Sequence, residues 1–158
     1  MRILGIDPGT GILGFGIIDH NGRQAALVDA GVIRTPAHQP LPERLKTIYD
    51  NLTEIADQHD IHAMSVEQLF FAKNVTTAIS VSHARGIALL IGQQREIPIF
   101  EYTPMQIKQA VTGYGKADKK QVQEMVRVLL RLKEVPKPDD CADALAAALT
   151  HTTQVRTK

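Results

Sequence analysis

The 158-residue chain has a single cysteine, Cys141. That excludes an intrachain disulfide and any zinc site built from several cysteines, and it fits a reducing, cytoplasmic setting. Uninterrupted apolar runs fall far short of the ~18 residues a membrane span needs, so no span and no membrane partner are expected. The first residues, Met-Arg-Ile-Leu-Gly-Ile-Asp-Pro-Gly-Thr-Gly, meet a charge and two glycines too early for a secretory signal. Internal repeats, low-complexity tracts, linkers, a P-loop and a Ser-His-Asp grouping are all missing. His59 and His62 have no companion ligand pattern and read as surface residues. A large charge imbalance is missing too: the net charge is +1. What is present is an ordinary globular composition, 44% hydrophobic and 22% charged. The length predicts one domain over 1–158, with a frayed tail at 154–158.

The hydrophobic pattern gives the order of elements. Short strands are expected at 2–6, 13–19 and 26–34, joined by tight turns at Asp-Pro-Gly-Thr-Gly and Asn21-Gly22, which makes an antiparallel meander. Leu45, Ile48, Tyr49, Leu52, Ile55 and Ala56 recur at helical spacing. A fourth strand at 61–67 follows that crossover helix and so pairs parallel to an earlier strand. The helix at 76–96 is apolar or small around much of its circumference and belongs in a core or against a second subunit. A fifth strand at 98–102 precedes helices at about 104–112, 118–132 and 139–152. Thr103-Pro104 has the form of an N-cap with proline in the first turn. The expected fold class is α/β: a mixed five-stranded sheet, a three-strand antiparallel meander plus two parallel strands, flanked by helices.

The charge is unevenly placed. Residues 104–137 carry eight Lys and Arg against three Asp and Glu, whereas residues 1–103 carry eight against eleven. A solvated helix face explains such a segment equally well unless an anionic substrate is implied elsewhere. The acids supply that implication. Asp7 ends one apolar strand and Glu67 another; parallel neighbours would bring both carboxylates to one sheet edge. Either is also compatible with a local turn, but a charge beside an apolar strand is costly unless paired or on metal. Asp139, Asp140 and Asp143 open the last helix; Asp143 shares a face with both others. Acids favour a helix N-terminus in any case. Even so, three acidic clusters from distant segments suit a hard divalent cation such as Mg²⁺, and a pair of ions suits phosphodiester hydrolysis.

An ordered set of segments then resembles one family. These are the opening Ile-Leu-Gly-Ile-Asp-Pro-Gly-Thr, Glu67-Gln68-Leu69-Phe70 with Ala72-Lys73-Asn74, Phe100-Glu101-Tyr102, Ile107-Lys108-Gln109, Gln121-Val122-Gln123, and Asp140-Cys141-Ala142-Asp143-Ala144-Leu145-Ala146. Together, over roughly residues 1–152, they are similar to the crossover junction endodeoxyribonuclease RuvC family, the bacterial Holliday-junction resolvases. The resemblance implies a ribonuclease-H-like fold and a homodimer making paired symmetric nicks in four-way junction DNA during recombination and repair. It implies two Mg²⁺ ions per site, replaceable by Mn²⁺, on Asp7, Glu67, Asp140 and Asp143 as catalytic ligands. Asp140 is preferred over Asp139 because the family motif has two residues between its last acids. Phe70 matches an aromatic residue at the junction crossover, with Phe71 beside it as a competitor. Lys108 and Lys119 match family lysines needed for activity. Lys116, Lys120, Lys73 and Arg85 are further candidates for phosphate contacts, each with simple solvation as the alternative. RuvA and RuvB are the implied protein partners. Competing readings are an actin-like nucleotide-binding domain, suggested by Gly-Ile-Asp-Pro-Gly-Thr-Gly alone, a junction-binding module without catalysis, and a ribonuclease-H-like nuclease for RNA hybrids. Cys141 reads as a small buried residue, not a nucleophile.

Overall fold

A computed structural model describes residues 1–69 and 75–155. Five strands form one sheet: β1 (Arg2–Asp7), β2 (Ile12–His20), β3 (Ala25–Arg34), β4 (Ala63–Glu67) and β5 (Ile99–Tyr102), in the spatial order β3-β2-β1-β4-β5. β1 and β2, and β2 and β3, pair antiparallel; β4 runs parallel to both β1 and β5. The mixed sheet expected from the sequence is thus the one observed. Helices α1 (Leu41–Gln58) and α2 (Val75–Gln94) serve one core, and α3 (Pro104–Thr112), α4 (Lys119–Leu129) and α5 (Asp139–Val155) serve the other.

Strand alternation assigns the faces. On β1, Leu4 and Ile6 enter the α1/α2 core, where Leu52 and Ile91 wait, while Ile3 enters the α5 core with Leu145 and Val126. Gly5 and Asp7 therefore face α5. On β4, Ser65 donates from Oγ to the Ala147 carbonyl of α5 at 2.6 Å, so Glu67, two residues on, faces α5 as well. α5 lies very close to the strands. A Cβ at Gly5 would collide with the Ala144 carbonyl, and one at Gly14 with the Asp140 carbonyl. The alanines of α5, Ala142, Ala144, Ala146, Ala147 and Ala148, are all buried and leave room for that approach.

Several boundaries differ from the expected ones. α5 continues to Val155, so Gln154 and Val155 are helical and not frayed. The Tyr102 hydroxyl and His151 Nδ1, 2.9 Å apart and buried, tie the last turns to β5. α2 and α4 end earlier than expected, at Gln94 and Leu129, with left-handed Glu96 and Arg131 just beyond them. His62 is exposed as expected, but His59 is half-buried, its Nδ1 2.8 Å from the Ile55 carbonyl oxygen.

The hydropathy of α2 also needs correction. Thr, Ser, His and Arg interrupt every apolar run, yet its 20 residues reach a mean hydropathy of 1.3, long and apolar enough by composition to cross a membrane. In the fold it lies on the sheet through Ala84, Ala88, Ile91 and Gly92, and its one charge, Arg85, pairs with Glu101 of β5. Val75, Ile79, His83, Gly86 and Leu90 remain exposed along its opposite stripe.

Candidate active site

The site forms where β1 and β4 end beneath the first turn of α5. The parallel register places Ile6 beside Val66. Asp7 and Glu67 follow on the same face, close enough for the charge of Glu67 to raise Asp7. Asp143, one turn into α5, completes the group from above. Burial first, then the charges of Glu67, Asp143 and Asp140, push Asp7 up to about 8 against the pull of Lys119. Burial likewise raises Glu67, with Asp143 the next cause, and raises Asp143 despite its contact with Lys119. Burial is the first cause of all three shifts, and neighbouring acids add to it most clearly at Asp7.

Two lysines face this charge across a cleft of about 300 Å³ lined by Glu67, Ile107, Lys108, Lys119, Val122 and Asp143. Lys119 Nζ lies 3.1 Å from Asp143 Oδ2 and 3.6 Å from Asp139 Oδ2. Lys108 acts on Glu67 through its charge. Both lysines are held by helix starts the sequence encodes. Thr103 and Gln106 form a reciprocal capping box at α3, and Asp118 and Gln121 form another at α4.

The structure separates the adjacent acids. Asp140 is half-buried and its charge acts on both Asp7 and Asp143; Asp139 is exposed, pairs with Lys119, and acts on Asp143 but is not among the causes at Asp7. Among the described residues no three His, Cys, Asp or Glu side chains stand at the spacing of a finished ligand cage. The donor set nevertheless suits hard cations. It is all carboxylate, partly buried, and raised in pKa first by burial and then by neighbouring acids.

The turn after Asp7 is fastened independently. Thr35 Oγ1 donates to the Thr10 carbonyl at 2.5 Å, Arg44 Nε donates to Thr35 Oγ1 at 2.8 Å, and Ser80 Oγ of α2 donates to Thr10 Oγ1 at 3.0 Å. Sequence reasoning did not find this anchor. Its members are three hydroxyls and one guanidinium in four separate segments, and none carries a spacing signal.

Known proteins identify the arrangement. The family model described as crossover junction endodeoxyribonuclease RuvC matches residues 3–151. The chain belongs to the RuvC family. A crossover junction endodeoxyribonuclease RuvC of Brevibacillus brevis is 57% identical over 151 residues, covering 96% of this chain and 91% of that protein. One from Desulfitobacterium hafniense is 55% identical with 96% and 92% covered. The solved structure of T. thermophilus RuvC in complex with Holliday junction substrate has a TM-score of 0.94 and 39% identity, covering 99% of this chain and 96% of that one. The yeast mitochondrial Holliday junction resolvase Ydc2 shares the fold at a TM-score of 0.66 and 14% identity. This RuvC-family chain is therefore a nuclease with the ribonuclease-H-like architecture, and its work is the resolution of Holliday junctions. Family membership leaves the nucleotide-binding and non-catalytic readings without support.

The remaining RuvC-type positions divide three ways. Lys116 and Lys120 are exposed beside the cleft lysines. Arg85 stands apart: it lies on α2, on the sheet face opposite the carboxylates, where its guanidinium pairs with Glu101. Phe70 and Lys73, with Phe71, lie outside the described residues. Cys141 is buried, and burial together with Asp140 pushes its thiol up, as expected of an unreactive core residue.

Proposed function

We propose that this chain is a Mg²⁺-dependent resolvase that cuts four-way DNA junctions by paired symmetric nicks. Asp7, Glu67, Asp140 and Asp143 are its metal-binding and catalytic residues. The observation that carries this reading is the meeting of Asp7, Glu67 and Asp143 at one sheet edge, opposite Lys108 and Lys119. When bound, two Mg²⁺ ions, or Mn²⁺ in their place, would supply an activated water and neutralise charge on the leaving oxygen. Asp7 is the most central ligand, because the charges of all three other acids reach it. Asp139 is left to Lys119.

The chemistry at phosphorus is an in-line displacement. A water oxygen forms the new bond, the bond to the 3′-oxygen breaks, and that oxygen takes up a proton. The products are a 5′-phosphate and a 3′-hydroxyl. Lys108 and Lys119 line the same cleft, Lys119 in contact with Asp143, so their ammonium groups can meet the phosphate oxygens and stabilise the charge that builds there. Lys116 and Lys120 position the strand through phosphate contacts, which carry no sequence information. Phe70 serves the junction crossover, as the family resemblance implies, and Lys73 adds a phosphate contact. Arg85 contributes only if its pair with Glu101 opens.

The chain acts as a homodimer, with α2 at the two-fold axis. Its exposed stripe supports that assignment: Val75, Ile79 and Leu90 share one side of the helix with His83 and with Gly86, which leaves room for close approach. A cytoplasmic site of action, cooperation with RuvA and RuvB, and a single domain over the whole chain complete the reading. A labelled junction with a mobile core tests it. Mg²⁺-dependent symmetric nicks, lost with Asp7→Asn, are expected. Tight binding without cleavage under any metal would overturn it.

A further inference from the structure

The loop between α3 and α4 carries an aromatic residue that the cleft does not use. Tyr114 is 57% exposed, more than Phe100, the other prominently exposed aromatic among the described residues, at 39%. Its backbone is closely held. Gly113, left-handed at φ 77°, caps α3 and donates from its N–H to Gln109 O at 2.9 Å. Thr112 Oγ1 lies 3.1 Å from Tyr114 N and 3.0 Å from Tyr114 O, and Gln109 Nε2 donates to Gly113 O at 2.9 Å. Ala117 N–H then donates to Tyr114 O at 3.0 Å. A large apolar ring on a fixed backbone in solvent is a preorganised contact, since little freedom remains to be lost when a partner arrives.

The surroundings define the partner. Tyr114 and Lys120 line a second concavity of about 460 Å³, and Lys116 is exposed between them in the chain. Two acids also line it, but both are committed: Asp118 accepts from Gln121 N–H as the α4 N-cap, and Glu124 pairs with Arg127. With exposed Lys116 and the Arg127 that pairs with Glu124 counted beside Lys120, cations outnumber acids around this concavity. This concavity and the catalytic cleft share the start of α4, with Lys119 and Val122 on the cleft side and Lys120 and Gln121 on the other. Tyr114 thus lies on the concavity next to the cleft, across the start of α4.

We propose that Tyr114, with Lys116 and Lys120 beside it, is a positioning residue that grips the sugar–phosphate backbone of the junction arm leading away from the nicked phosphate. The ring packs on deoxyribose and the hydroxyl donates to a phosphate oxygen. The inference rests on the nuclease reading above and adds an arm-binding contact outside its catalytic cleft.

The test compares wild type, Tyr114→Ala and Lys120→Gln in single-turnover cleavage, on junctions with long arms and with arms trimmed to the few base pairs around the nick. On long arms Tyr114→Ala raises the half-saturating enzyme concentration about 10-fold, with the saturated rate and the melting temperature unchanged. On trimmed arms its penalty disappears. Lys120→Gln lowers the slope of log affinity against log salt by about 1, while Tyr114→Ala leaves that slope alone. An equal penalty on both junctions, a fall in the saturated rate, or no penalty on long arms overturns the inference. If Tyr114→Ala melts early, Tyr114→Glu, which sets a charge against the phosphates, must show the same arm-length dependence. Failure of wild type to cleave any junction would instead sink the nuclease reading, so the two failures are distinguishable.

Discussion

At the scale of single residues, the site is a problem of unbalanced negative charge, and Asp7 shows it best. In the metal-free protein its folded pKa is about 8, whereas in an unfolded chain it would lie near 3.8. Between those values the folded state binds more protons than the unfolded state, so stability must fall as pH rises. The contribution is fully present below about pH 4 and lost by the time pH has passed through 8. Asp7→Asn removes the titration. With chelator present, the variant should be more stable than wild type at pH 8.5 by roughly 2–4 kcal/mol and nearly equal to it at pH 4, read from urea midpoints. Equal stability at the higher pH would mean the carboxylates do not crowd as described. The adjacent acids give a second residue-scale prediction. Asp140 acts on Asp7 and Asp143, and Asp139 meets Lys119 in solvent. Asp140→Asn should lower the cleavage rate on the order of 100-fold or more, and Asp139→Asn only a few-fold. The reverse order would reassign the ligand.

At the scale of elements, what positions these residues is the close seat of α5. Gly5 and Gly14 remove the Cβ atoms that would meet its carbonyls, and the alanines of the helix remove bulk from the other side. Gly14→Ala should cost about 1–3 kcal/mol by overpacking, because the obstructing Asp140 carbonyl is backbone and cannot swing aside. It should also lower cleavage by more than the lost stability explains, since the same shift moves Asp140 and Asp143 away from Asp7. Denaturant midpoints and single-turnover rates on one preparation separate the two effects. Elements of this kind were largely legible in the sequence. Strand alternation and turn residues placed Asp7 and Glu67 at strand ends, and the capping signal at Thr103-Pro104 marked the start of α3. The choice between Asp139 and Asp140 depends on the rotation of α5 about its axis, which helix periodicity leaves open for neighbours. Arg85 could not be placed either. Its partner Glu101 lies on a strand 16 positions away, and only the packing of α2 on β5 shows that the two meet. Tyr114 sits between two glycines, a pattern that reads as a turn whether or not its ring has work to do.

At the scale of the whole molecule, the two faces of the sheet divide the labour. The α5 side gathers the carboxylates and the lysine-rich segment, so that an acidic centre is approached through a basic rim. The α1/α2 side holds a core and presents the outer stripe of α2. Two copies joined along that stripe would carry one cleft each, related by the two-fold axis, an arrangement that matches two symmetric nicks. Val75, Ile79 and Leu90 are each exposed, and Gly86 has open space where a Cβ would be, so a second α2 can approach without steric conflict. A charge in that stripe is then the sharpest whole-molecule probe. Neither Ile79 nor Leu90 touches the carboxylate site, so Ile79→Glu with Leu90→Glu should leave each folded subunit intact while separating the pair in sedimentation at micromolar concentration. Like charges brought together across a dry interface cost several kcal/mol. The functional consequence follows from geometry. A separated subunit with an intact cleft should still nick one strand of a junction, but the two nicks should become uncoupled in time, and singly nicked junctions should accumulate in place of resolved duplexes. If the double variant remained dimeric and resolved junctions as wild type does, the two-fold axis would have to lie on another surface, and the exposed stripe of α2 would need a different partner.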